Sequence, residues 1–216
     1  MPRELRQYSL IDRLLSGVDQ ALRTASAGAP LASRSNPSAE MADVELNDEQ
    51  QQHIAGLMRI NHTGEVCAQA LYSGQAATAR NPAVRDSMQQ AADEEIDHLA
   101  WCEQRLQELD ANPSIFNGLW YAGSWSLGAV AGLLGDEWSL GFLRETEHQV
   151  EAHLDDHLDQ LPETDQKSRA ILEQMKTDEA KHAAMAEDAG GRELPRPVQD
   201  LMRMSANFMK AVAYRL

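Results

Sequence analysis

The chain has 216 residues, 43% of them hydrophobic but only 5% aromatic, and its 34 acidic against 19 basic residues give a formal net charge of −15. One domain with a sizeable core, or two small ones, fits that length. The acidity argues against nucleic acid as a partner, because phosphates would be repelled, and abundant Ala, Leu, Glu, Gln and Met with almost no period-two runs of Val, Ile and Thr argues for one all-α domain.

Taken in order, residues 4–24 place Leu5, Tyr8, Ile11, Leu15, Val18 and Leu22 at spacings of three and four, the pattern of an amphipathic helix lying on a surface. Arg6, Asp12 and Arg13 interrupt any signal-peptide core, and Glu4, Asp12 and Asp19 count against a mitochondrial transit signal. Residues 25–46, rich in Ala, Ser and Pro, read as a flexible linker, so residues 1–47 stand apart from a domain spanning 48–216. Asn47 or Asp48 caps a long helix to about Ala79, and Asn81-Pro82 opens the next, to about Leu109. A third long helix is expected from near Asp136 to about Gln160, and a fourth from Pro162-Glu163 to the stop at Gly190-Gly191. The short turns fold these into two antiparallel hairpins. A last amphipathic helix, about 197–214, aligns Leu201, Met204, Phe208 and Ala211 or Val212. Cys67 and Cys102 have no paired spacing and read as reduced thiols inside helices.

Between the hairpins, Ile115–Gly135 carries no charge over 21 residues and is long enough to span a bilayer. A single crossing would strand the second hairpin on the far side from the first. The run also holds five glycines and a bunch of Trp120, Tyr121 and Trp125, so two readings fit it: a crossover that lies on the bundle and dips into a membrane face, or a buried crossover helix. The basic residues gather at the ends, five Arg against three acids in 1–34 and five Lys or Arg against two acids in 192–216. That distribution fits an ordinary solvated surface or ends that meet an anionic membrane or partner.

The chemistry lies in a repeat. Glu95 and His98 leave the same helix face three residues apart, and Glu179 and His182 repeat the spacing. Each pair follows a glutamate on the preceding helix by about thirty residues, Glu65 and Glu147. Four glutamates and two histidines in tandem make a dinuclear metal site, the four carboxylates balancing two divalent ions. Glu65 and Glu147 would be single ligands, Glu95 and Glu179 bridges, and His98 and His182 one ligand for each metal. Glu145 and His148 share the spacing but have no tandem copy and read as a surface pair. His62, three residues before Glu65, reads as a core histidine or one beside the site; Glu94, Asp97 and Asp178 are candidates to accept the free ring N–H of a ligand histidine. Tyr72 and Trp101 read as core aromatics, as contacts to a substrate or as an electron relay.

These segments resemble the demethoxyubiquinone hydroxylase family of ubiquinone biosynthesis, ferritin-like di-iron monooxygenases. The resemblance is carried by Asn61-His62-Thr63-Gly64-Glu65, Leu71-Tyr72-Ser73-Gly74-Gln75, Glu95-Ile96-Asp97-His98-Leu99, the Leu119–Gly135 crossover, Glu147 with His153, and Asp178-Glu179-Ala180-Lys181-His182. It covers about 48–216 and leaves the first 47 residues outside. It implies a ferritin-like four-helix bundle of two antiparallel hairpins with a long apolar crossover and an added C-terminal amphipathic helix. By resemblance, two iron ions sit on Glu65, Glu95, His98, Glu147, Glu179 and His182, with O2 as co-substrate. The substrate would be a polyprenylated demethoxyubiquinol admitted from the membrane past the crossover and hydroxylated on its ring. His153 matches a histidine near the site in relatives, although the Tyr that follows it in some is Leu154 here. No Gly-x-Gly-x-x-Gly follows a strand, so electrons come from NADH bound another way, from the quinol, or from a partner. The implied setting is peripheral, on the cytoplasmic face of a bacterial inner membrane, with room for other ubiquinone-biosynthesis proteins or a second copy of the chain as partners. The residues leave two alternatives: a ferritin-like iron-oxidising or peroxide-reducing protein with a water-accessible site, and a non-catalytic quinone- or lipid-binding protein whose ligands are dispensable.

Overall fold

The computed structural model describes residues 32–216, so the amphipathic helix expected at 4–24 and the first part of the linker lie outside the described residues. Helix α1 (Asp48–Thr78) opens on a reciprocal capping box between Asn47 and Gln50. Helix α2 (Pro82–Glu108) follows a turn in which the Asp136 carboxylate accepts from the backbone N–H groups of Arg80 and Asn81, while the Asn81 side chain caps Ala83 N. Helices α3 (Asn117–Leu134) and α4 (Asp136–Gln160) are separated by Gly135 alone, whose φ of 120° is open to glycine and costly for other residues. Helices α5 (Gln166–Asp188) and α6 (Arg196–Ala213) complete the all-helical, ferritin-like fold.

Helix α5 begins four residues later than Pro162-Glu163 implied. Asp165, buried and held by Arg105, caps the Ser168 amide, so the chain spends Pro162–Asp165 in a turn instead. The hairpins α1–α2 and α4–α5 form the four-helix bundle. Helix α3 runs parallel to α1, with Asn117 beside Thr63 at one end, Gly128 against Leu71 in the middle and Gly132 against Thr78 at the other. Gly74, Gly128 and Gly132 let the two backbones approach where a Cβ would collide with main chain or Thr78, so glycine is required by helix packing here.

The bundle core is layered. One apolar cluster gathers Ile54, Leu57, Met58, Trp101, Leu106, Leu154, Ile171 and Met175, and another gathers Leu71, Tyr72, Met88, Leu140, Leu143 and Ala186. On each of the four helices, the acidic and histidine positions fall between these two clusters. Neither α3 nor α6 buries its whole apolar surface: Leu119, Leu127, Val130 and Leu133 on α3 and Leu201, Met204 and Phe208 on α6 are each more than half exposed, and Trp120 and Phe208 meet edge to face between the two helices. The α6 stripe therefore faces outward, and only Met209 and Ala213 pack inward, against Ile60. Among the described residues, no helix is long and apolar enough to cross a membrane.

Candidate metal centre

Antiparallel pairing puts position 65 of α1, 95 and 98 of α2, 147 of α4 and 179 and 182 of α5 at one height, and all six side chains are buried. Ligand atoms from Glu65, Glu95, His98 and Glu179 lie within 4.8 Å of one another, and so do those from Glu95, Glu147, Glu179 and His182. The two sets share Glu95 and Glu179. That is the geometry of two adjacent positions joined by two common carboxylates, with one further glutamate and one imidazole for each.

Both imidazoles turn Nδ1 inward. His98 Nδ1 lies 2.9 Å from Glu95, 3.2 Å from Glu179 and 3.8 Å from Glu65; His182 Nδ1 lies 3.4 Å from Glu179, 3.5 Å from Glu95 and 3.6 Å from Glu147. Most of these atoms do not face each other as donor and acceptor. Glu95 Oε1, Glu147 Oε2, both Glu179 oxygens and His182 Nδ1 are buried with no aligned hydrogen-bond partner, as expected of lone pairs that converge on a common centre rather than on one another. Stranding so many buried polar atoms would be costly unless a cation satisfied them.

The electrostatics point the same way. Burial, then repulsion from Glu179, pushes the Glu95 and Glu147 carboxyls well above the usual carboxylate range. Burial alone would lower the two imidazoles, but the surrounding carboxylates more than reverse it, raising His98 strongly and His182 to about 12. Glu179 is held low despite burial by the His182 and His98 imidazoles, whose Nδ1 atoms lie 3.4 and 3.2 Å from its carboxylate. The cluster thus draws in protons as substitutes for positive charge, and the residues fit a pair of divalent cations on charge, donor type and geometry.

The outward Nε2 atoms answer which carboxylates stand behind the histidines. Glu94 Oε2 lies 2.7 Å from His182 Nε2, and Asp178 Oδ2 lies 3.3 Å from His98 Nε2. Because an ionised carboxylate only accepts, each Nε2 must carry a proton, so when a cation takes the place of the proton on Nδ1 it is the Nδ1 lone pair that faces inward. The residue before each shared glutamate therefore braces the histidine of the other hairpin. Asp97 instead faces away, toward Ser33 and Arg34. Tyr72 OH donates to Glu147 Oε1 in a fully buried contact, and burial followed by the Glu147 charge raises its phenol well above 10. Trp101 packs under His98, ring centroids 5.4 Å apart.

Two histidines named from the sequence lie off the cluster. His62, pushed down to about 4 by burial, accepts from Asn117 Nδ2 and so ties the start of α3 to α1. His153 Nε2 and His157 Nδ1 both lie within hydrogen-bond distance of Asn61 Oδ1, at 3.0 and 2.9 Å. The Glu145 side chain bonds Gln149 along its own helix, away from the six. Sequence reasoning gave no role to Asn61, His157 or Arg34. The i, i+4 spacing of His153 and His157 was a usable signal; Arg34, a single cation in a Ser- and Pro-rich stretch, offered none.

A ferritin-like bundle in which two helices each supply an inward glutamate and two others each supply Glu-x-x-His belongs to the class whose cores are built to hold a pair of metal ions. Residues 52–213 match the family described as ubiquinone biosynthesis protein COQ7. The chain is 60% identical over 211 residues to 3-demethoxyubiquinol 3-hydroxylase of Xanthomonas axonopodis pv. citri (strain 306), covering 98% of this chain and 97% of that one. It is 57% identical to the protein of the same description from Ectopseudomonas mendocina (strain ymp), covering 98% of each. The chain belongs to the COQ7 family of ubiquinone biosynthesis proteins.

Proposed function

We propose that this protein is a 3-demethoxyubiquinol 3-hydroxylase in which Glu65, Glu95, His98, Glu147, Glu179 and His182 hold two iron ions and O2 is the co-substrate. The observation that carries the metal assignment is the pair of four-residue ligand sets sharing Glu95 and Glu179 in a buried layer between two apolar cores. The activity rests on full-length relatives of about 60% identity that bear that description. An iron-oxidising protein would want its site open to water, whereas these six residues are at most 6% exposed.

Iron bound here would supply O2 activation next to the quinol ring. The protein's own side chains do the rest. Asp178 and Glu94 keep the protons on the outer ring nitrogens, so both Nδ1 lone pairs face the metal positions. Tyr72 holds one oxygen of Glu147 and fixes which carboxylate oxygen remains available to metal. The apolar layers above and below exclude water, which would otherwise quench a reactive oxygen species. Ring hydroxylation puts one O2 atom into a C–H bond and releases the other as water, using two electrons and two protons, supplied by NADH with one further proton from solvent or by the quinol itself.

The apolar face shared by α3 and α6 supports peripheral association with the membrane that carries the prenylated substrate, and we assign that association to the cytoplasmic side of a bacterial inner membrane. The test is joint. The purified chain should carry about two irons and convert demethoxyubiquinol to its hydroxylated product only with O2 and reductant, and Glu95→Ala and Glu179→Ala should lose iron and product together. Product formation by either variant at the native rate would refute the assignment.

A further inference from the structure

The two halves of the cluster are not braced alike. Glu94, behind His182, has 38% of its side chain in water and one further side-chain partner, Gln90 Nε2 at 2.9 Å. Asp178, behind His98, is 4% exposed and is held by Lys181 Nζ at 2.9 Å, by Gln174, and by Arg34 Nη1 at 2.7 Å. Arg34 comes from outside the bundle. Its Nε lies 2.7 Å from Asp97 on α2 while Nη1 reaches Asp178 on α5, so one planar guanidinium forks across the seam between the hairpins. Its Nη2 lies 3.4 Å from His98 Nε2, and its carbon sits 4.9 Å above the Trp101 ring that packs under His98.

The segment carrying Arg34 is fastened along its length. Ser33 donates to Asp97 through both its amide and its hydroxyl, Asn36 bonds Gln104, and Asp43 pairs with Arg105 and Lys167. Residues 33–43 therefore form a strap over α2, fixed at both ends, whose guanidinium reaches Asp178.

We propose that Arg34 is a positioning residue for the His98 half of the cluster: the strap brings its guanidinium across the hairpin seam to fix Asp178 on His98, and makes that half the slower of the two to release its metal ion. This rests on the metal assignment above. The chemistry is that of an outer carboxylate that orients a ligand imidazole and is itself locked in place, set against a partner carboxylate free to swing into water. Lysine cannot replace the fork, since an ammonium is a point charge and would serve one carboxylate at a time.

The full chain, loaded anaerobically with ferrous iron and mixed with a chromogenic chelator, should release metal in two phases of equal amplitude. Arg34→Gln should speed the slow phase about 10- to 100-fold and leave the fast phase unchanged, Arg34→Lys should fall between, and Arg203→Ala, which removes an exposed cation paired with Asp200 on α6, should release as native. Melting of the metal-free proteins is followed in parallel. A slow phase within twofold of native in Arg34→Gln overturns the inference, as does native release in one phase. Equal acceleration of both phases with a lowered melting temperature also overturns it, because that is the signature of general loosening. If Arg34→Gln fails to fold, native release by Arg34→Lys overturns it and slow-phase acceleration in that variant supports it. A native chain that takes up no stoichiometric iron overturns the metal assignment, and this inference with it.

Discussion

Replacing Gly128 by Ala tests the packing that seats the crossover. A Cβ at Gly128 would meet the Leu71 carbonyl oxygen inside van der Waals contact and would lie 2.8 Å from its carbonyl carbon and 3.0 Å from its Cα. Ordinary carbon–carbon contact is about 3.5–4.0 Å, so the overlap is on the order of 1 Å. All of the struck atoms are backbone in the middle of α1, a helix fixed by the bundle core, and none can rotate aside. Helix α3 must lift instead. Overpacking costs about 1–3 kcal/mol, and a backbone-on-backbone clash belongs at the upper end. For a domain of this size, about 3 kcal/mol lowers the melting temperature by roughly 6–12 °C. Gly118 and Gly123 are the internal controls: on the same helix, a Cβ at either meets nothing within 4 Å, and alanine there should be neutral or stabilising by up to about 1 kcal/mol. Thermal unfolding followed by circular dichroism compares the three. A Gly128→Ala protein melting within 2 °C, or roughly 0.5–1 kcal/mol, of native would refute the close helix–helix seat.

Tyr72→Phe removes the buried donor to Glu147 and should cost about 1–3 kcal/mol in urea unfolding of the metal-free chain, with weaker metal uptake alongside; unchanged values in both would dismiss the contact. His157 is pushed down to about 4, chiefly by burial. A group with a depressed folded-state pKa contributes stability that is complete above its unfolded value near 6.5 and drains as pH falls through 4, about 3 kcal/mol in all. His157→Gln, which keeps an N–H for Asn61, should therefore flatten the loss of stability between pH 6.5 and 4, read from urea midpoints of metal-free protein, and a slope parallel to native would show the imidazole is not the source. Leu127→Asp combined with Leu133→Asp, both on the exposed side of α3, should abolish flotation with anionic vesicles while leaving melting nearly unchanged. Equal flotation would separate this face from membrane binding.

Local regularities carried most of the fold into the sequence. Asn47, Asn81-Pro82 and Gly190-Gly191 mark helix ends because capping depends on neighbours a few residues away. The Glu-x-x-His spacing likewise fixes which residues share a helix face, so the six clustered residues could be named without a structure. The start of α5 escaped because Asp165 caps it with help from Arg105, a distant residue in sequence.

Tertiary structure alone decided what lies across helices. It paired Asp178 with His98 and Glu94 with His182, turned Asp97 outward, set Tyr72 on Glu147 and His62 on Asn117, and placed the cluster between two apolar layers. It also showed that the apolar stripes of α3 and α6 point outward, although the same periodicity would serve a helix buried in the core. Arg34 is the clearest case. Its three partners lie more than sixty residues away, on two helices of different hairpins, and no pattern of near neighbours encodes a contact that exists only once those hairpins have docked.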